Sequence, residues 1–237
     1  MPNEEEERRA EIVAALERRS RGDYVAVAAR IGVGSIPLIG SALTELVTEF
    51  IPESKERRIA EFVAQLRVDV GRLQDRINTE VIKTDEFAYI FEQVFRAIVE
   101  NYESEKLDAF RVILVNSMIR TDVAGARKSL YLRIVRDLLP THLEFLRVFA
   151  DPRRHIQSNH IVMPSNISAT GFIRMILPLF PGYSESEIRI VIRDLYNSGL
   201  VNIDPGSLGG MVTWNLNNLQ NRLTDLGRSL MDFIVMP

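Results

Sequence analysis

Apolar residues recur at helical spacing along most of the chain. Over residues 53–79 they fall at Ile59, Phe62, Val63, Leu66, Val70, Leu73 and Ile77, and from Val63 onward they form a heptad seam. The opposite face carries Arg57, Arg58, Glu61, Arg67, Asp69, Arg72, Asp75 and Arg76. Pro52 precedes the run and Ser54 is placed to cap it, so the pattern predicts one long helix packed inside its own bundle. Thr84 then reads as a cap, with Asp85 and Glu86 in the first turn. Behind it Phe87, Ile90, Phe91, Val94, Phe95, Ile98 and Tyr102 form the broad aromatic stripe of a core-facing helix. Ser104 opens the next helix, with Leu107, Phe110, Ile113, Leu114 and Ile119. Two more are predicted over 124–139 and 141–150, divided by Pro140, and Asp151-Pro152 ends the second.

The N-terminal region adds two elements. Residues 4–21 are charged, with a thin stripe of Ile12, Val13 and Leu16, and read as a helix. Tyr24 to Leu43 is apolar except for Arg30, and about 20 such residues span a bilayer. Gly32, Gly34, Pro37 and Gly40 interrupt it. The prediction is two short apolar helices, roughly 23–32 and 38–50, joined by a Gly-Ser-Ile-Pro turn and each too short to span alone. Such a hairpin 24–51 is either buried at the centre of the bundle or able to leave it and enter a membrane. Both hold if it is covered at rest and exposed on activation.

Residues 151–168 lack a helical stripe and contain two prolines, which marks a linker. The last third differs in kind. A helix over 169–180 stops near Pro181-Gly182, and Ser184 caps another that carries Ile188, Val191, Ile192 and Leu195 and closes at Gly199. Leu200–Ile203 and Met211–Asn215 read as a hairpin around the turn 204–210, and a last helix runs through Leu223–Leu230. Helix, helix, hairpin, helix is the order of a winged helix. The expected fold is therefore mainly α: a helical bundle over 1–150, a linker over 151–164 and a winged-helix-like domain with a β-hairpin over 165–237.

The phrases Tyr196-Asn-Ser-Gly-Leu-Val-Asn-Ile-Asp204 and Leu223-Thr-Asp-Leu-Gly227 resemble those of winged-helix domains. The whole layout, with the apolar Gly32–Ile51 segment ahead of a helical body and a Leu-Thr-x-Leu-Gly phrase near the end, resembles the abortive-infection alpha family of bacterial phage-defence proteins. That resemblance implies a non-enzymatic defence effector and brings no defined chemistry.

Composition narrows the function classes. The chain has 237 residues, with 29 basic against 32 acidic and a net charge of −3. A nucleic-acid binder usually shows a basic excess. The predicted recognition helix offers Arg189 and Arg193 against Glu185, Glu187 and Asp194, and the wing 204–210 has no Lys or Arg. Phosphate contacts dominate DNA affinity, so a protein contact or dimerisation is the stronger expectation for this module. Cysteine is absent, which removes disulfides, thiolate metal sites and cysteine nucleophiles. No phosphate-binding glycine loop and no His-Glu-x-x-His occur. His155 and His160 lie in the expected linker without a third ligand, and His142 and Glu144 point to different sides of a helix. Arg147, Arg153, Arg154 and His155 form a local basic cluster suited to a phosphate, an anionic lipid or an acidic partner, or else a solvated helix end.

The expectation is thus a protein without enzymatic activity, metal or cofactor. It would act on the membrane through Arg30, Gly32, Gly34, Pro37 and Gly40 of the hairpin, or through a protein partner or self-association. A winged-helix DNA-binding regulator with a dimerising or sensing bundle, using Arg189 and Arg193, and a helical scaffold are the alternatives. An anionic membrane is a further candidate partner, nucleic acid ranks behind these, and no small-molecule ligand is evident. The acidic start, Glu4 to Glu7, argues against a signal peptide and for a cytoplasmic protein with conditional inner-membrane association.

Overall fold

A computed structural model of the chain describes residues 56–163, 170–209, 211–212, 219 and 221–236. The helix expected over 4–21, the cap Ser54 and the hairpin 24–51 lie outside the described residues. The chain divides into two compact units, one through Leu132 and one from Arg133.

In the first unit, α1 (Glu56–Arg72) buries Ile59, Phe62, Val63, Leu66 and Val70 as the seam requires. It does not continue to 79. A 3₁₀ turn, Gln74–Arg76, follows Leu73, and Ile77 leaves in extended geometry. The break has a local cause at Asn78. Its backbone N–H donates to the Met118 carbonyl at 3.0 Å, and its side chain accepts from Glu80 N at 3.0 Å. Asn78 thereby caps α2 (Thr79–Ile82), the competing use that makes Asn a poor helix-interior residue.

Thr84 starts α3 (Asp85–Glu100) as predicted, its hydroxyl accepting from Phe87 N at 3.2 Å. Phe87, Ile90, Phe91, Val94, Phe95 and Ile98 are buried. The Phe91 and Phe95 rings lie 4.4 Å apart, and Phe62 meets Phe95 edge-on at 5.8 Å. Tyr102 is not the end of this stripe and is 75% exposed. The helix stops at Asn101, where the Arg58 guanidinium donates to the Ile98 and Asn101 carbonyls. Helix α4 (Ser104–Ile119) is the central element, because Val112 to Met118 are buried all round it. Ser117 satisfies its hydroxyl on the Ile113 carbonyl at 2.7 Å. Helix α5 (Gly125–Asp137) contains the division between the units, and its buried Lys128 donates to the Ser117 carbonyl at 3.3 Å.

Among the ion pairs of these helices, one joins α1 to α4 with both side chains largely buried. Arg111 Nη1 meets the Asp69 carboxylate at 2.5 Å. Burial raises the Asp69 pKa above the usual carboxylate value, against the pull of Arg111 and Arg72.

The second unit holds α6 (Pro140–Ala150), α7 (Pro152–Ser158), β1 (Thr170–Gly171), α8 (Phe172–Ile176), α9 (Glu185–Asn197), β2 (Met211–Val212) and α10 (Asp225–Phe233). Its aromatic centre is Phe145 stacked on Phe180 at 3.6 Å, with Phe149 and Tyr183 edge-on to the pair. Helix α6 therefore belongs to this unit, whereas a boundary after 150 was expected.

Three expectations change here. The linker 151–164 contains α7, because Asp151 is a cap and Pro152 an N1 proline: the Asp151 side chain accepts from Arg154 N at 3.0 Å. The helix expected over 169–180 is only α8 and a following 3₁₀ turn, Leu177–Leu179, in which Pro178 supplies no amide donor. The hairpin between 200–203 and 211–215 is not formed among the described residues. Instead Met211–Val212 pair antiparallel with Thr170–Gly171, in register Thr170↔Val212. Val201 bridges Leu223. Asp204 accepts from Gly206 N at 2.9 Å and so organises the 3₁₀ turn Pro205–Ser207.

Two helices end in the same hydrogen-bonded motif. After α9, Gly199 (φ +69°) donates to the Tyr196 carbonyl and Leu200 to the Leu195 carbonyl. After α7, His160 (φ +51°) and Ile161 make the corresponding bonds to Gln157 and Ile156. Glycine tolerates that geometry and histidine is strained in it.

Candidate functional site

Two surfaces of the second unit present chemistry. The first is α9. The capping box Ser184/Glu187 fixes its start, with Glu187 N reaching the Ser184 hydroxyl at 3.3 Å. These bonds to Ser184 hold the Glu187 pKa below its usual value. Ile188, Val191, Ile192 and Leu195 face the core, which leaves Ser186, Arg189, Ile190, Arg193, Tyr196 and Asn197 outward. Ile190 is 48% and Tyr196 43% exposed. Arg193 Nε lies 3.6 Å from Asp194, and Arg189 borders a depression of about 300 Å³ with Arg174 and Glu185. The two arginines singled out in the sequence thus share one exposed row. Ile190 and Tyr196 belong to the same outward face and were overlooked, although the spacing from Arg189 and Arg193 carried the signal.

The second surface is a cavity of about 420 Å³ at the junction of α6, α7 and α10. Arg147, Arg154 and His155 line it, so three of the four members of the basic cluster converge; Arg153 is exposed and lies outside the lining. The apolar wall is Met231 of α10 with Ile234 and Val235 just beyond its end. Arg147 comes from α6, Arg154 and Ser158 from α7, and Asp151 from the break between them. His155 Nε2 lies 2.9 Å from the Leu179 carbonyl, and Asn159 Nδ2 lies 3.3 Å from its Nδ1. These two contacts hold the ring in place as a wall of the cavity.

His142 and Glu144 have separate partners. His142 Nδ1 accepts from Leu139 N at 3.0 Å, while its buried Nε2 faces Asp194 at 3.6 Å without a hydrogen bond. Desolvation lowers its pKa, although Asp194 pulls it up. Tyr183 donates to Glu144 at 2.7 Å, and that bond raises the phenol pKa. Among the described residues no group of three His, Asp or Glu is arranged to hold a metal ion.

The phrase Leu223-Thr-Asp-Leu-Gly227 has structural roles at three of its five positions. Leu223 is buried at the Val201 bridge. Thr224 caps α10 by accepting from Gly227 N at 3.0 Å, and its hydroxyl donates to the Gly199 carbonyl at 2.7 Å. At Gly227 a Cβ would overlap the Leu200 carbonyl oxygen. The membrane-hairpin residues Arg30, Gly32, Gly34, Pro37 and Gly40 lie outside the described residues, and no helix among the described residues is long and apolar enough to cross a membrane.

Compared with known proteins, the chain matches no family model, no curated protein and no solved structure.

Proposed function

We propose that the protein is a non-enzymatic bacterial defence or stress effector that works by binding, with a winged-helix-like module in its second unit. The observation that carries the binding part is the outward face of α9, where Ile190 and Tyr196 stand exposed beside Arg189 and Arg193. Large apolar side chains beside arginine on an otherwise packed helix have the composition of a protein contact rather than of a solvated face. The order β1, α8, α9, β2, α10, with β1 antiparallel to β2, supports the winged-helix reading. The defence assignment itself rests on the layout and the Leu-Thr-x-Leu-Gly phrase. The acting element in that assignment is hairpin 24–51, with the inner membrane as its target and a cytoplasmic resting state.

The test is light scattering of the full chain across concentration, with wild type beside Ile190→Asp and Tyr196→Asp. Self-association that both variants lose while keeping their helical circular dichroism supports the contact. Dye leakage from anionic liposomes, lost in Gly34→Asp and Leu38→Asp, tests the hairpin. A second reading, a DNA-binding regulator, is favoured by Arg189 and Arg193 lying four residues apart on the same exposed row. Against it stand Glu185, Glu187 and Asp194 on that helix and the absence of Lys or Arg from 204–210. A monomer whose DNA affinity falls steeply with salt and is lost in Arg189→Gln/Arg193→Gln would establish it instead.

A further inference from the structure

We infer that the α6–α7–α10 cavity is a binding site for a small amphiphilic anion: a single carboxylate or phosphate ester on a short hydrocarbon tail. The inference is independent of the α9 contact and uses none of its residues.

The volume, about 420 Å³, falls within the roughly 300–1,000 Å³ of small-molecule sites. The lining combines two chemistries. Arg147 and Arg154 are exposed on it, and among the described residues neither makes an ion pair or side-chain hydrogen bond. The ring nitrogens of their neighbour His155 are engaged with the Leu179 carbonyl and Asn159, and Asp151, the one acid in the lining, turns its carboxylate to the Arg154 amide. Two guanidiniums against one engaged carboxylate leave the lining with an excess of positive charge. Guanidinium forks match the planar oxygens of a carboxylate or phosphate. The apolar part of the lining is Met231 and Ile234, both buried, with Val235 59% exposed. An anion without a tail leaves this wall wet, and a neutral tail leaves the arginines unpaired. A ligand with one charge and one apolar end satisfies both.

The charge and the tail are common to a free fatty acid and to a lipid at a membrane surface. Titration calorimetry with decanoate, below its micellar concentration, and sedimentation with phosphatidylglycerol vesicles distinguish the two sources. Decanoate binding by the full chain is expected to weaken at least tenfold in Arg147→Gln/Arg154→Gln and in Val235→Glu. The neutral probe decanol should bind at least tenfold more weakly than decanoate. Arg153→Gln, an equal loss of charge one residue from the cavity lining, should bind as wild type does, and melting curves exclude unfolding as the cause. Vesicle binding without decanoate binding, lost in the same variants and kept in Arg153→Gln, would assign the ligand to the lipid surface. Binding that is unchanged in both cavity variants, binding that falls equally in Arg153→Gln, or no binding to either probe would overturn the proposal.

Discussion

Gly227 lies so close beneath the Leu200 carbonyl oxygen that a methyl group on its Cα would overlap that atom. Leu200 ends the turn after α9, and Gly227 is in the first turn of α10, so the contact sets how closely the two segments approach. Backbone cannot swing aside as a flexible side chain can. Gly227→Ala should therefore lower unfolding stability by about 2–3 kcal/mol, the range of forced overpacking. Gly182→Ala is the control: nothing lies within 4 Å of its Cβ position, and the change should stay within about 0.5 kcal/mol. Denaturant midpoints measure both.

The paired helix ends at Gly199 and His160 predict opposite signs. Gly199→Ala forces a side chain into a φ of +69° and should cost about 1 kcal/mol. His160→Gly relieves φ +51° and should gain about 0.5–1 kcal/mol, net of the added freedom of the unfolded chain. Thermal melts of the two variants should move in opposite directions.

Broken ion pairs should differ with depth. Asp69→Ala leaves the Arg111 guanidinium buried beside only the exposed Asp108 and should cost about 3 kcal/mol. Glu80→Ala breaks the pair with Lys83, in which the two side chains are 76% and 67% exposed, and should cost less than about 0.5 kcal/mol. Equilibrium unfolding in urea compares them.

His142 predicts acid sensitivity. Burial depresses its folded-state pKa below the unfolded value near 6.5, so the unfolded chain takes up the proton first. Its contribution to stability is complete above pH 6.5 and declines as pH falls from there through the folded-state value. Asp194, which faces Nε2 across 3.6 Å, limits the depression. Unfolding free energy should fall between pH 7 and 5 by more in wild type than in His142→Gln, and by more in Asp194→Asn than in wild type.

The helices were legible in the sequence where a cap and a stripe agreed. Thr84 and Ser184 cap as expected, and Phe87 to Ile98 and Ile188 to Leu195 are buried as their spacing requires. Misreadings came where one residue serves two grammars. Asp151-Pro152 ends α6 and also begins α7, because aspartate caps and an N1 proline loses no needed donor. Asn78 interrupts a continuous apolar seam through a bond to Met118, forty residues away in the chain. Pairing of 211–212 with 170–171 is equally non-local; strand propensity marks the segments and is silent about the partner. The cavity was half legible, through Arg147, Arg154 and His155. Its apolar wall comes from α10 and the residues just beyond its end, some eighty residues on, and no local pattern announces it.

Asp151 is the C-cap of one helix and the N-cap of the next, with a single pair of angles, φ −143° and ψ 76°, between them. Arg147 sits on one arm and Arg154 on the other. The angle between the two arms is therefore set at one residue, as at the pivot of a pair of callipers, and a substitution there changes how the arms open while every other lining side chain keeps its identity.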